Sequence, residues 1–150
     1  MSHIAQVNIL VQDLNALARA CQRLGLEFVT HQTTYRWYGR SSDNTALPTG
    51  FTNEELGHCE HAIRIPGNPQ AYELGVVTRR DGKAGYALLW DSWNGGYGLT
   101  ERVGEQAEKL QQLYAYEVTL QTIDHMQHCL IDEQRLADGS LVLTIAHQGA

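Results

Sequence analysis

Apolar positions recur every three or four residues at Leu14, Leu17, Ala18, Cys21 and Leu24, which places one stripe along an amphipathic helix. Asp13 stands where an N-cap is needed, and Gly25 supplies a left-handed stop. Before this helix, residues 4–11 read as a strand; after it come Leu26–Thr30 and a further short strand over Thr34–Tyr38. The pattern then breaks. Residues 41–60 are dense in turn formers and keep no apolar period, which predicts a long loop. Order returns with strands over His61–Ile65, Tyr72–Arg79 and Gly85–Trp90, the last two joined by an Asp81-Gly82 turn. Thr100 is placed to cap a helix with Glu101 in its first turn and Val103, Ala107, Leu110 and Tyr114 on one face. Beyond Tyr114 two periods compete. Tyr114, Tyr116, Val118 and Leu120 alternate as in a strand, whereas Tyr116, Leu120 and Ile123 fit a helix. A closing hairpin, Leu130–Leu136 and Leu141–Ala146, turns at Asp138-Gly139. The predicted class is α+β, an antiparallel-rich sheet with two or three helices on one face.

The chain's 150 residues suit a single domain over 1–150 with one core, and 43 % apolar against 19 % charged residues is an ordinary globular balance. A net charge of −6 offers no basic excess for a DNA or RNA duplex and argues against docking on anionic lipid. No run is long enough to span a bilayer, and Ile4–Val11 is too short and too polar for a secretory segment. Three scattered cysteines, Cys21, Cys59 and Cys129, point to free thiols in a reducing cytoplasm, with Cys21 in the core.

Both ends carry a recognisable pattern: Met1-Ser2-His3-Ile4-Ala5-Gln6-Val7-Asn8 running into a helix that stops at Leu24-Gly25-Leu26, and Gln112-Leu113-Tyr114-Ala115-Tyr116 leading to Ala137-Asp138-Gly139-Ser140-Leu141-Val142-Leu143. Together they resemble the hypothetical chloroplast reading frame 35 family, a domain of unknown function in plastids, cyanobacteria and phages. The resemblance implies a fold, favours helix after Tyr114, and makes 41–60 an insertion. It also implies an arginine and glycine after the second strand and a tryptophan or aspartate near Trp90. It implies no activity.

Histidine is the most suggestive residue type for chemistry. Two His-x-x-His pairs occur, His58/His61 and His125/His128, the second followed by Cys129. On a helix, residues three apart share a face, so His125 and His128 could reach one ion. Two imidazoles and a thiolate, joined by the other pair, would suit zinc. The competing reading is solvated or hydrogen-bonded surface histidines. A nucleophile elbow, a dinucleotide fingerprint and a phosphate loop are all missing; Gly95-Gly96-Tyr97-Gly98 reads as a flexible bend. His31-Gln32-Thr33 has no second histidine motif to complete a phosphoesterase.

What remains is arginine set among aromatics. Tyr35-Arg36-Trp37-Tyr38-Gly39-Arg40 holds two guanidinium groups and three rings, Trp90 and Trp93 flank Asp91, and Arg79-Arg80 precede a turn. Rings stack on bases and guanidinium forks clasp phosphates, so Arg36, Trp37, Arg40, Arg79 and Trp93 form a candidate nucleotide-like site. The plainer reading is core rings alternating with exposed arginines. Three function classes follow. The first, and the expectation here, is a non-catalytic binding or regulatory protein, a phage or bacterial accessory factor that takes a small molecule or a host protein. The second is an adaptor for a ring-forming ATPase, beside whose genes relatives of the resembled family lie. The third is a zinc-dependent enzyme. A homo-oligomer is expected, because a small sheet leaves edge strands to cover.

Overall fold

A computed structural model describes residues 4–39, 50–125, 128–137 and 140–147. Strand β1 (Ile4–Val11) leads into helix α1 (Leu14–Arg23), which crosses to β2 (Glu27–Thr30). Strands β3 (His61–Arg64), β4 (Leu74–Thr78) and β5 (Tyr86–Asp91) follow, then helices α2 (Leu99–Val103) and α3 (Glu108–His125), and last β6 (His128–Arg135) and β7 (Leu141–His147). The first five strands form one sheet in the order β1-β5-β4-β3-β2, antiparallel at every step, and β6-β7 form a separate two-stranded ribbon. The α+β class holds. Strands β1 and β2 are the outer strands of this sheet.

Local chemistry sets the ends of α1 as the sequence predicts. Asp13 Oδ1 accepts the N–H groups of Asn15 and Ala16 at 2.9 and 3.0 Å, relieving two orphan donors. At the other end Gly25, at φ 70°, turns the chain so that Leu26 N–H reaches Cys21 O at 2.9 Å. The left-handed φ is what favours glycine at this stop; a Cβ there would only have to displace the mobile end of the Arg102 side chain, 2.8 Å away. Ala16 and Ala20, rather than Ala18, complete the buried stripe with Leu17 and Cys21, and Leu14 and Leu24 pack at its margin. This stripe meets Ile63, Ile65, Leu74, Val76, Leu88 and Trp90 from the sheet and Val103, Leu110 and Leu113 from α2 and α3.

Three expectations are corrected. Thr34–Tyr38 is not a strand; only Thr34 bridges His58. The expected helix from Thr100 divides, because Gly104 at φ 96° ends α2 and Ala107 at φ 57° precedes α3. Its cap is Gly98; the Thr100 hydroxyl is buried with no hydrogen-bond partner among the described residues. Val142 lies on the separate ribbon, away from the five-stranded sheet, and is 43 % exposed. The competing periods after Tyr114 resolve as helix, with Tyr116 and Ile123 buried along α3.

The long connection from β2 to β3 has a structural role that its lack of period hid. Phe51 and Leu56, together with Tyr35, cover the other face of the sheet, meeting Val77, Ala87 and Leu89. Arg80 ties this loop to the β4–β5 hairpin: its guanidinium lies 4.7 Å from the centre of the Phe51 ring and 2.8 Å from the Glu55 carboxylate. Among the described residues no helix is long and apolar enough to cross a membrane.

Candidate functional site

Two buried carboxylates organise one end of the sheet. Gly75 pairs with Leu89, so Glu73, two residues before it, and Asp91, two residues beyond, stand at the same end of β4 and β5. Both are buried, and both bind backbone of the segment after β2. Glu73 Oε1 accepts Arg36 N–H at 2.8 Å and Gln32 Nε2 at 3.2 Å, while Glu73 N–H donates to Arg36 O at 2.9 Å. Asp91 accepts Tyr38 N–H through Oδ2 at 3.2 Å and Trp93 N–H through Oδ1 at 2.9 Å. Burying such groups is tolerable because each is hydrogen-bonded. An extended backbone held this way alternates its side chains. Tyr35 and Trp37 turn in to the core, while Arg36 and Tyr38 remain exposed.

Beyond Asp91 the chain makes a rare turn. Asn94, Gly95, Gly96 and Tyr97 are all left-handed, with φ between 52° and 64°. Single glycines adopt this conformation readily; four residues in succession, two of them not glycine, store strain. Gly96 is the crowded member of the turn, since a Cβ would sit 3.1 Å from Leu99 Cβ and 3.4 Å from Asp91 O. Gly96 O accepts Tyr72 N–H at 2.9 Å, which locks the turn to the segment before β4. Tyr97 is then presented edge-on to Tyr72, ring centres 5.0 Å apart, and the residue is 43 % exposed. Tyr72 is buried, and burial, then the Asp91 charge and the bond to Tyr97, raise its hydroxyl above the usual phenol range. Tyr38, 41 % exposed, lies close enough to act on Tyr72 as well.

The sequence-predicted residues fall into separate places. Arg36 and Trp93 are at this end. The Arg36 guanidinium donates to Ala71 O at 2.8 Å and lines a cleft of about 350 Å³ with Arg64, Glu27 and the Pro66–Pro69 turn. Trp37 is half-buried over Gly57, where its ring would strike a Cβ. Arg79 is apart: it lies beyond the Thr78–Tyr86 pair at the far end of β4 and β5, paired with Asp81. Arg40 lies outside the described residues. The rings that do gather, Tyr38, Tyr72 and Tyr97, were visible only as scattered tyrosines, with the run Gly95-Gly96-Tyr97-Gly98 as the available signal.

The histidine pairs are also divided. His61 is buried in β3 among the rings of Phe28, His31 and Tyr86, and its Nδ1 accepts His31 N–H at 3.0 Å. Burial, then the neighbouring His31, holds its pKa below the ordinary imidazole value. His58 is exposed at the bridge to Thr34. His125 ends α3 and His128 begins β6, so the expected shared helix face does not exist; their side chains lie outside the described residues. Among the described residues no three His, Cys, Asp or Glu side chains group as a metal site would need. Burial pushes the Cys21 and Cys59 thiols up to about 12, and the Cys59 thiol donates to Gln32 O at 3.1 Å. Thiols held protonated in this way are poor nucleophiles. No family model matches this chain, and no curated protein or solved structure matches it either.

Proposed function

We propose that this is a non-catalytic binding protein whose contact surface is the Arg36, Tyr38, Tyr72 and Tyr97 end of the sheet, and that its partner is another protein. The observation that carries this reading is Tyr97. It stands between Gly96 and Gly98 in a backbone conformation that favours glycine, yet it is a tyrosine that stays 43 % exposed. A strained aromatic side chain at the surface is costly unless it is used. Tyrosine offers wide contact area at low entropy cost and is enriched among the residues that dominate protein interfaces.

The electrostatics support a protein rather than a nucleotide. Asp91 and Glu73 lie beneath the rings, and the chain carries a net charge of −6, so a phosphate would meet an opposing field at close range and at long range. Among the described residues, the local support for that second ligand class is Arg36 and Arg64, and Arg64 is already paired with Glu27 at 3.1 Å. The adaptor role implied by the family resemblance falls within the same reading.

Tyr97→Gly separates function from folding. Relief of about 1 kcal/mol of strain should offset loss of an aromatic pair worth about 0.5–1.5 kcal/mol, leaving stability nearly unchanged. Binding to a partner captured from the source cells, re-measured with purified components, should weaken by about 2 kcal/mol or more. Unchanged partner affinity in Tyr97→Gly would refute the assignment of this surface. Nucleotide binding that is lost in both Arg36→Ala and Tyr97→Gly would replace the protein partner with the small-molecule one.

A further inference from the structure

The left-handed turn after β5 also carries a reactive pair of residues. Of the six asparagines in the chain, only Asn94 is followed by glycine. A main-chain nitrogen can attack the side-chain carbonyl carbon of the asparagine before it and close a succinimide ring. A β-carbon on the attacking residue obstructs that approach, and glycine has none. Asn94 and Gly95 are both exposed, and a Cβ at Gly95 would meet nothing within 4 Å, so the ring has room to close and water can reach it.

Other asparagines are placed less favourably. Asn68 precedes Pro69, which has no N–H to give up, and its side chain already accepts the Gln70 and Ala71 N–H groups at 3.1 and 3.2 Å. Asn15 lies in the first turn of α1, where the N–H of Ala16 is bound to Asp13 at 3.0 Å. Asn8 is inside β1 and precedes the β-branched Ile9. Gly95 N–H is engaged as well, donating to Ser92 O at 3.0 Å, so the turn must open before its nitrogen can attack. Here opening is cheap. Asn94, Gly95, Gly96 and Tyr97 are left-handed in succession, and leaving that conformation releases strain that a regular helix or strand does not store.

We propose that Asn94-Gly95 is a self-modification site at which the folded chain deamidates, and that the isoaspartate formed there dismantles the turn. Gly95 N bonds to Asn94 Cγ, the Cγ–Nδ2 bond breaks, and ammonia leaves with the proton from Gly95. Water then opens the ring, its hydroxyl going to a carbonyl carbon and its proton to the nitrogen. Opening at Cγ restores the main chain and leaves aspartate. Opening at the main-chain carbonyl routes the chain through Cβ and Cγ, which adds a methylene to it and leaves a free α-carboxylate. The turn has no slack for that methylene. Trp93 N–H is fixed to Asp91 at 2.9 Å on one side, and Gly96 O is fixed to Tyr72 N–H at 2.9 Å on the other. Lengthening the chain between them displaces Gly96 from its close seat against Leu99 and Asp91, and Tyr97 leaves Tyr72 with it. The inference concerns the chemistry of the turn and stands whatever binds to the tyrosines.

The test ages the full chain in native buffer at mildly alkaline pH and maps it with trypsin. The peptide Ala84–Arg102 carries Asn94 as its one asparagine. It should acquire the mass of an acid in place of an amide and resolve into two isomers, one of them isoaspartate. Gly95→Ala should slow this by roughly tenfold, since its β-carbon crowds ring closure. Asn94→Gln, which keeps a carboxamide on a longer arm and adds no bulk at Gly95, should leave the peptide unmodified over the same period. The isoaspartate chain, isolated by chromatography, should lose hydrogen-exchange protection at the Tyr72 amide while the amides that pair β4 with β5 keep theirs. Freshly prepared Asn94→Asp, which has the added charge without the added methylene, should keep Tyr72 protected. The proposal is overturned if Asn94 reacts in urea and not in native buffer, if Gly95→Ala and the parent react at one rate, or if the Tyr72 amide stays protected in the isoaspartate chain.

Discussion

The two faces of the five-stranded sheet are closed by opposite distributions of bulk. On the helix face the sheet supplies the large side chains, Ile63, Leu74, Leu88 and Trp90, and α1 answers with Ala16 and Ala20 around Leu17. On the loop face the sheet is thin, with Ala62, Gly75 and Ala87 at successive strands, and the covering segment brings the rings of Tyr35 and Phe51. A helix can lie close to a sheet if it is narrow; an irregular segment can do so only if the sheet makes room. Helix-face packing therefore leaves a periodic trace in one short stretch of sequence. Loop-face packing leaves none, because its complementarity is written between residues forty apart.

The largest expected effect is a pair of truncations, one on each face. Leu17→Ala removes a fully buried side chain from between rigid elements and should cost about 2–5 kcal/mol, because neither α1 nor the sheet can close the cavity. Leu56→Ala is also buried, but its surroundings include a loop that can settle, so its cost should be at the low end, about 2 kcal/mol. Urea denaturation of both variants measures this difference. A Leu56→Ala loss as large as that of Leu17→Ala would mean that the loop face is as rigid as the helix face.

A smaller effect probes the room made in the sheet. Gly75 is inside β4, where glycine is otherwise unfavourable, and it has no left-handed backbone to justify it. A Cβ there would lie 2.6 Å from the Tyr35 ring and 3.2 Å from Cys59 Cβ. Gly75→Ala should therefore destabilise by about 1–3 kcal/mol despite alanine's better strand entropy. The double variant Gly75→Ala with Tyr35→Leu should recover part of that loss, since it removes the ring that clashes. A neutral Gly75→Ala would show that the covering segment yields, and the comparison of faces would lose its basis.

These contrasts explain what could be read ahead of the structure. The α1 stripe, the Asp13 cap and the Gly25 stop are local, so each could be named from a few neighbouring residues. The strands β3, β4 and β5 and the closing hairpin were legible for the same reason. The division of the second helix at Gly104 was not, since glycine inside a helical pattern is often tolerated, and its positive φ depends on how α2 meets the core. The site was less legible still. Arg36 and Trp93 were singled out by residue type, but the tyrosine surface is assembled by Glu73 and Asp91, buried acids whose partners are backbone N–H groups. Backbone partners have no sequence signature. Arg79 shares a residue type with Arg36 and not a location, because β4 separates them by its full length.

The smallest effect is kinetic, and it uses the one described cysteine on each face. Cys21 is fully buried in the α1 stripe, while Cys59 is half-buried beside Tyr35 and donates to Gln32 O in the covering segment. Both thiols are pushed up to about 12 by burial, so at pH 8 neither presents thiolate to a reagent while the chain is closed. Alkylation then reports opening. Exposing Cys59 needs only release of the loop face, a local event of lower free energy than global unfolding. Exposing Cys21 needs α1 to leave the sheet, which removes the main core. With iodoacetamide under native conditions, peptide mapping should find Cys59 modified well before Cys21. The Cys21 rate should rise with Leu17→Ala, whereas the Cys59 rate should respond chiefly to Leu56→Ala. Equal rates at both thiols, rising together in both variants, would mean that the two faces open as one cooperative unit, and that their different construction makes no difference to how the molecule comes apart.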